Sequence, residues 1–183
     1  MPNWCENSLD SSISLEKYIN KDEEFDFGLI KPMPKILREL PSIGFDKRRV
    51  EELREKGDIV KYNDYHIYKV TKKLTGSKDW YEWSVFNWGT KWNADTHFIS
   101  EDKKCVSFAT AWSPPLGVFD ELIRLHPKEY FLLEYTEPGM GFSGRVEYNG
   151  NGNPIHEGYD DIREGTGREI TIKLFGEEFF EEE

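Results

Sequence analysis

The sequence predicts an α+β domain built on a split antiparallel sheet of order βαββαβ. Three observations carry this. Short alternating runs bounded by turn residues read as strands near the start and through the second half. Stretches with i, i+3, i+4 apolar spacing fall between those strands as crossover helices. The segment Trp80–Ala94 holds four of the six tryptophans with Tyr81 and Phe86, enough ring surface to centre a core or floor a site.

In chain order, Trp4 and Cys5 place a buried first strand over Asn3–Leu9. Ser11–Asn20 reads as a helix, with Ser14 as N-cap and Leu15, Tyr18 and Ile19 on one face. Phe25, Phe27 and Leu29 alternate with Asp26, Gly28 and Ile30 as in a strand, which Pro32 and Pro34 end. Asp46–Gly57 is the clearest helix, capped by Asp46, with Val50 and Leu53 inward and Gly57 at the C′ position. Ile59–Leu74 continues as helix to Gly76, with Tyr62, Tyr65 and Tyr68 three apart. Trp80–Asn87 adds one or two helical turns that place Trp80, Trp83 and Asn87 on a common face.

A hairpin follows, Thr96–Ser100 and Cys105–Trp112 around Glu101–Lys104. Its second strand has a large face (Val106, Phe108, Trp112) and a small one (Cys105, Ser107, Ala109, Ala111) against which a helix can lie. That helix starts at Ser113 as cap with Pro114 and Pro115 in its first turn. It carries Phe119, Leu122, Ile123 and His126 as a stripe and stops at Pro127. His126 then serves as a cation at the helix C-terminus. Tyr130–Tyr135 is a central strand covered on both faces. Phe142–Asn149 and Pro154–Tyr159 pair across Asn149-Gly150-Asn151-Gly152, where Asn and Gly tolerate positive φ. Arg168–Phe175 alternates Ile170, Ile172 and Leu174 as a last strand before an acidic tail. The predicted organisation is one domain, 1–183, with a core at 1–30 and 94–160. A helical insertion occupies 31–93, and the last strand and tail occupy 161–183.

The totals narrow the function. Apolar residues are only 37% of the chain, but aromatics are 15%, so the expected core is rich in rings. A net charge of −11 repels phosphate backbones and suits basic partners. No signal peptide or membrane span is visible, and the expected location is cytoplasmic. Cys5 and Cys105 make no disulfide framework, and four cysteine ligands for an iron–sulfur cluster are not available. The βαββαβ order is the ferredoxin-like topology, with the first and third strands adjacent at the sheet centre. That adjacency brings Cys5 and Cys105 near one another, both reduced in a reducing compartment.

Four stretches carry a family resemblance: Pro2–Asn7 (PNWCEN), Asn87–Ala94 (NWGTKWNA), Phe108–Pro115 (FATAWSPP) and Glu137–Gly144 (EPGMGFSG). Their order and content resemble the YubB ferredoxin-like family of phage and plasmid proteins of uncharacterised function. The resemblance covers about residues 1–30 and 80–160, and leaves out the insertion near 35–75 and the tail after 160. It implies the fold and a mobile-element origin, but no reaction.

The candidate surface is the NWGTKW segment together with the Glu137–Gly144 turn. Trp88 and Trp92 would be stacking faces, Lys91 a cation, and Asn87 and Asn93 polar readers, with Glu137, Met140 and Arg145 beside them. The bland alternative is that these rings bridge the insertion to the sheet, with Gly89 allowing the turn and the two asparagines satisfying backbone groups. Gly139–Gly144 fits GxGxxG but lies between two strands, so no helix N-terminus awaits a pyrophosphate, and a hairpin turn is the better reading. Glu137 and Arg145, flanking it, are placed to form an ion pair. His66, His97, His126 and His156 lack zinc spacing. Asp95 and His97 face one side of a strand, the one acid–histidine pair that a cleft near Trp88 would use for catalysis. No catalytic set, cofactor or metal site is assigned. The expected function is non-enzymatic binding of a macromolecular partner, a protein first and nucleic acid as the alternative. Exposed rings would hold a single strand. A further alternative is an acidic inhibitor that opposes a host DNA-binding protein by presenting carboxylates in place of phosphates. The sequence leaves the oligomeric state open.

Overall fold

The computed structural model describes residues 3–39, 55 and 59–181. The chain divides into two compact units: residues to Pro32 together with Trp88 onward, and Met33–Asn87. Helices α1 (Phe27–Ile30), α5 (Leu116–Leu125) and α6 (Gly165–Phe175) belong to the first unit; α2 (Lys35–Arg38), α3 (Ile59–Thr75) and α4 (Trp80–Asn87) belong to the second. Among the described residues no helix is long and apolar enough to cross a membrane.

In the first unit, β1 (Trp4–Ser11), β2 (Asp95–Ile99), β3 (Cys105–Ala111), β4 (Tyr130–Glu137), β5 (Phe142–Asn149) and β6 (Ile155–Tyr159) form one antiparallel sheet of order β2-β3-β1-β4-β5-β6. The run β2-β3-β1-β4 is the ferredoxin-like arrangement: β1 and β3 are central, and each crossover skips one strand. The β5–β6 hairpin extends the β4 edge, with Gly150 and Gly152 at positive φ in its turn, as the Asn-Gly pattern predicts.

Alternation along β1 sorts its residues. Cys5, Asn7 and Leu9 are buried on one face, while Trp4, Glu6, Ser8 and Asp10 lie on the other. Helix α5 covers the first face, the large face of β3 and not the small one expected, and there Val118, Phe119 and Leu122 meet Leu9, Phe108 and Leu133. Each such buried side chain contributes about 1.5–3 kcal/mol. Rings dominate beside them: Phe25–Phe108 centroids are 5.4 Å apart, Phe27–Phe108 5.7 Å and Phe119–Phe131 6.4 Å.

Several local expectations are corrected. Ser11–Asn20 is not a helix; it holds one 3₁₀ turn, Glu16–Tyr18, with Leu15 and Tyr18 buried. Phe25–Ile30 is not a strand. Phe25 forms a single antiparallel bridge with Ile19, and Asp26 then caps α1 by accepting from the Gly28 N–H at 2.7 Å. Ser113 does not cap α5. Pro115 stands at that position, and the Ser113 hydroxyl donates to the Gly89 carbonyl at 2.6 Å. Nor is Arg168–Phe175 a strand: it lies in α6. Its buried residues Gly167, Ile170 and Thr171 follow i, i+3, i+4, whereas the Ile170-Ile172-Leu174 alternation imitates a strand. Helix α6 lies on the second face, over β4 and β5. The Thr171 and Thr136 hydroxyls are 3.0 Å apart, and the Lys173 ammonium bridges Glu134 and Asp10.

The cysteines are free. They are not neighbours: Cys5 pairs with Thr110 and Cys105 with Asp10, five rungs away, about 17 Å along the strands. His126 closes α5, with its Nε2 2.8 Å from the Tyr18 hydroxyl. Burial and Lys17 lower its pKa, so the environment favours the neutral ring over a helix-end cation.

In the second unit, α3 ends at Gly76 as expected, with φ +82° and its N–H donating to the Lys72 carbonyl. Asp79 caps α4 by accepting from the Glu82 N–H, and the Glu82 carboxylate reaches back to accept from the Lys78 N–H just before the cap. Ser84 reaches the buried face because its hydroxyl donates to the Trp80 carbonyl at 2.7 Å. The predicted helix Asp46–Gly57 lies outside the described residues apart from Glu55.

Candidate functional site

The start of β1, the end of β3, the end of β4 and the Trp88–Asn93 loop gather at one end of the sheet. Three strands meet there because Trp4 pairs with Ala111 and Glu6 with Thr136. A buried polar layer fixes this end from within. The Asn7 amide donates to the Cys5 carbonyl (2.7 Å), the Phe108 carbonyl (3.2 Å) and the Thr110 hydroxyl (2.9 Å). Thr110 donates on to the Ser113 carbonyl at 2.8 Å. The Glu137 carboxylate, almost fully buried, accepts from the Gly139 and Met140 N–H groups and so shapes the β4–β5 turn. Burial, then the Glu137 charge, pushes the Cys5 thiol far above its ordinary range, which leaves it an inert core group.

The Trp88–Asn93 loop is pinned at several points. Gly89, at φ +89°, runs so close to the start of α5 that a Cβ would stand 3.0 Å from the Pro114 oxygen and the Leu116 nitrogen. The Thr90 hydroxyl donates to the Ala111 carbonyl. Trp88 is buried, with its indole N–H on the Lys31 carbonyl and its ring edge against Phe27. Asn93 accepts from the Phe27 N–H and donates to Asp26. Of the expected readers, Trp88 and Asn93 therefore hold the loop, and Asn87 donates to the Trp83 carbonyl within α4. Lys91 and Trp92 face outward.

Trp92 does not stand alone there. Its ring centroid lies 6.1 Å from Trp4 and 6.4 Å from Trp112, the second pair only 24° from parallel. The three indoles are 40%, 38% and 40% exposed for Trp4, Trp92 and Trp112. The Lys91 ammonium sits over two of them, 4.2 Å from the Trp92 ring and 5.2 Å from Trp112. Strand alternation puts Trp112 with Val106 and Phe108, but φ +67° at Trp112 breaks it, with the N–H donating to the Asn3 carbonyl. A bulky residue in this region costs about 1–3 kcal/mol, and such residues collect where a side chain must be aimed. Sequence reasoning missed Trp4 and Trp112 as partners of Trp92. The signal was their place in the PNWCEN and FATAWSPP stretches, which meet at one end of the β1–β3 pairing, where Trp4 lies opposite Ala111.

Beside the indoles the same face turns acidic. Glu6 follows Trp4 by two residues, and Asp95 and Glu6 both pair with Ala109. Burial raises the Glu6 pKa; Asp95 adds to the rise, while His97, with Nε2 at 3.3 Å, opposes it. His97 is the extra residue of a bulge between Thr96 and Phe98. His97 thus pairs with Glu6 on the neighbouring rung and not with Asp95, which lies on the same exposed strand. Among the described residues no three His, Cys, Asp or Glu side chains group to hold a metal ion.

The remaining candidates lie apart from this cluster. Glu137 and Arg145 do not pair: register puts Glu137 opposite Phe142 and Arg145 opposite Glu134, on different faces of the sheet. Arg145 bridges to Glu157, which also accepts from the Tyr159 hydroxyl. Met140 is exposed and lines a groove of about 430 Å³ with Pro138, Asp160, Asp161 and Arg163. The GxGxxG stretch spans the β4–β5 hairpin turn and the first three residues of β5, in keeping with the hairpin reading.

No curated protein and no solved structure gives a significant match to the chain. A family described as the ferredoxin-like domain in Api92-like protein matches residues 87–181, just over half of the chain. The match takes in α6, which the motif resemblance leaves out, while β1, at the centre of the sheet, comes from outside the matched range. The chain belongs to the family of ferredoxin-like domains of Api92-like proteins.

Proposed function

We propose that the chain is a non-enzymatic, cytoplasmic accessory protein of the phage or plasmid type that binds a protein partner through the end of its sheet that carries Trp4, Trp92 and Trp112. One observation carries the reading: Trp4, Trp92 and Trp112 cluster, partly exposed, on a rigidly pinned sheet end. Tryptophan is the residue type most enriched at binding hot spots. Its rings bring large contact area at low entropy cost.

The neighbours favour protein over nucleic acid. Single-strand binding needs rings together with a basic track for the backbone. Here Lys91 is followed along the face by Glu6 and Asp95, in a chain of net charge −11. Those carboxylates oppose phosphate and attract basic groups. The test is capture of partners from a bacterial lysate on immobilised protein, beside a Trp92→Ala/Trp112→Ala variant shown to be folded by near-UV circular dichroism. Capture of a discrete protein by the parent chain alone supports the reading. Salt-sensitive retention of short oligonucleotides, lost in the same variant, would replace it with the nucleic-acid reading.

A further inference from the structure

We infer that the Trp4–Trp92–Trp112 cluster is an aromatic cage for a cationic side chain, a lysine or arginine of a basic partner segment, whose place the chain's own Lys91 now fills. The inference deepens the protein-binding reading and rests on it for the identity of the partner.

The geometry is that of cation recognition. An ammonium or guanidinium is held when it lies within about 6 Å of ring centroids on the faces of several rings, and tryptophan is the best of these rings. The Lys91 Nζ meets that condition for Trp92 and Trp112 at once, at 4.2 and 5.2 Å. Trp4 extends the ring surface on from Trp92, with its centroid 6.1 Å away and tilted by 40°. A cation is therefore already accommodated on this ring surface, and it is carried by the same loop as Trp92.

Charge selects the guest. The face next to the cage carries Glu6, two residues along β1 from Trp4 and roughly 7 Å away at the strand rise. Asp95 joins Glu6 on the Ala109 rung. An incoming lysine or arginine would meet ring faces and then carboxylates within one side-chain length. A phosphate or carboxylate ligand would meet like charge on the rim. The cage is also built to stay open. Thr90, Gly89 and Asn93 fix the loop that carries Lys91 and Trp92, and the positive φ of Trp112 sets the opposite ring.

The experiment titrates the full chain with tetramethylammonium chloride and with a short arginine–lysine peptide. Tert-butanol serves as the neutral isostere, and the indole N–H signals are followed by NMR. The expected result is saturable shifts of the Trp4, Trp92 and Trp112 signals with both cations and none with tert-butanol. Lys91→Ala should tighten binding of the cations on the order of tenfold, the scale of a partly desolvated cation–π contact. Trp112→Phe should weaken it while keeping the fold, and Glu6→Gln should reduce its salt dependence. Absence of saturable shifts in both the parent chain and Lys91→Ala overturns the inference, as does an equal response to tert-butanol. Lysate capture separates the two readings. A protein captured while the cage ignores both cations leaves the partner reading standing and removes the cage. Cation binding with no protein captured supports the cage and removes the protein partner.

Discussion

Removing the Asn7 side chain tests whether the buried polar layer holds the site end of the sheet. The Asn7 amide donates to three acceptors, two of them at 2.9 Å or less, and the residue is 1% exposed. A net hydrogen bond is worth about 1 kcal/mol, and a buried acceptor left unmet costs about 1–3 kcal/mol. Asn7→Ala should therefore cost roughly 2–4 kcal/mol, with the Cys5 and Phe108 carbonyls keeping part of their strand bonding. At this chain length each kcal/mol lowers Tm by about 2–4 °C, so the expected fall is roughly 5–15 °C. Because the second unit carries its own tryptophans, hydrogen exchange of β1 and β3 amides in urea is the better assay. Thr110→Val closes a double-mutant cycle, and a coupling of at least about 0.5 kcal/mol is expected between contacting members of one network. A loss below about 0.5 kcal/mol for Asn7→Ala, or strict additivity with Thr110→Val, would refute the claim that these residues act as one support.

The remaining predictions concern other parts of the first unit. Gly167→Ala gains about 1 kcal/mol of helix propensity, yet its Cβ would fall inside the contact distance of the Asp161 carbonyl oxygen. Net destabilisation in urea is expected, and a stabilised variant would show that the Asp161 backbone can move away from α6. His126 has a lowered folded pKa, so the unfolded chain takes up the proton first as pH falls. Its stabilising share is complete above the ordinary value near 6.5 and is lost as pH falls from there through the folded value. His126→Gln should flatten the slope of stability against pH between about 7 and 5. Iodoacetamide should label half-buried Cys105 before fully buried Cys5, since both thiols are raised by burial but Cys5 is the more enclosed. Mass spectrometry of the native chain shows the order, and early labelling of Cys5 contradicts its place in the core. Residues 87–181 expressed alone lack β1 and leave β3 and β4 with open edges, so that fragment should aggregate, whereas the full chain should not.

Much of the sheet was readable because strand signals here are local. The Asn149–Gly152 turn, the Glu101–Lys104 turn and the apolar run at Tyr130 each mark an element by residue type. What misled was short-range alternation without the long-range pairing that gives it meaning. Phe25, Phe27 and Leu29 alternate, yet Asp26 caps a helical turn instead. Ile170, Ile172 and Leu174 alternate, yet Gly167 and Thr171 sit on the face that packs on Thr136 and Ser143. The site was half readable. Lys91 and Trp92 were visible in NWGTKW, whereas Trp4 and Trp112 join them only through the β1–β3 register and a left-handed Trp112 that no propensity rule foretells. Trp88, in the same motif, is core because its indole N–H finds the Lys31 carbonyl 57 residues away.

The division of labour along β1 decides how the site has to be probed. Odd positions Cys5, Asn7 and Leu9 anchor the sheet, and even positions Trp4 and Glu6 are displayed beside the indole cluster. A substitution at Trp4 therefore changes a displayed ring on a strand whose neighbours hold the core, and loss of binding there has two explanations. Lys91 and Trp92 are different. Their loop is anchored by Gly89, Thr90 and Asn93, none of which depends on the Lys91 or Trp92 side chain. Changes at Lys91 thus alter the occupancy of the cage with its walls in place, and the direction of the effect discriminates. If Lys91 itself contacts the partner, its removal weakens binding. If it stands in for a partner's cation, its removal strengthens binding, and no general loosening of the fold produces that sign.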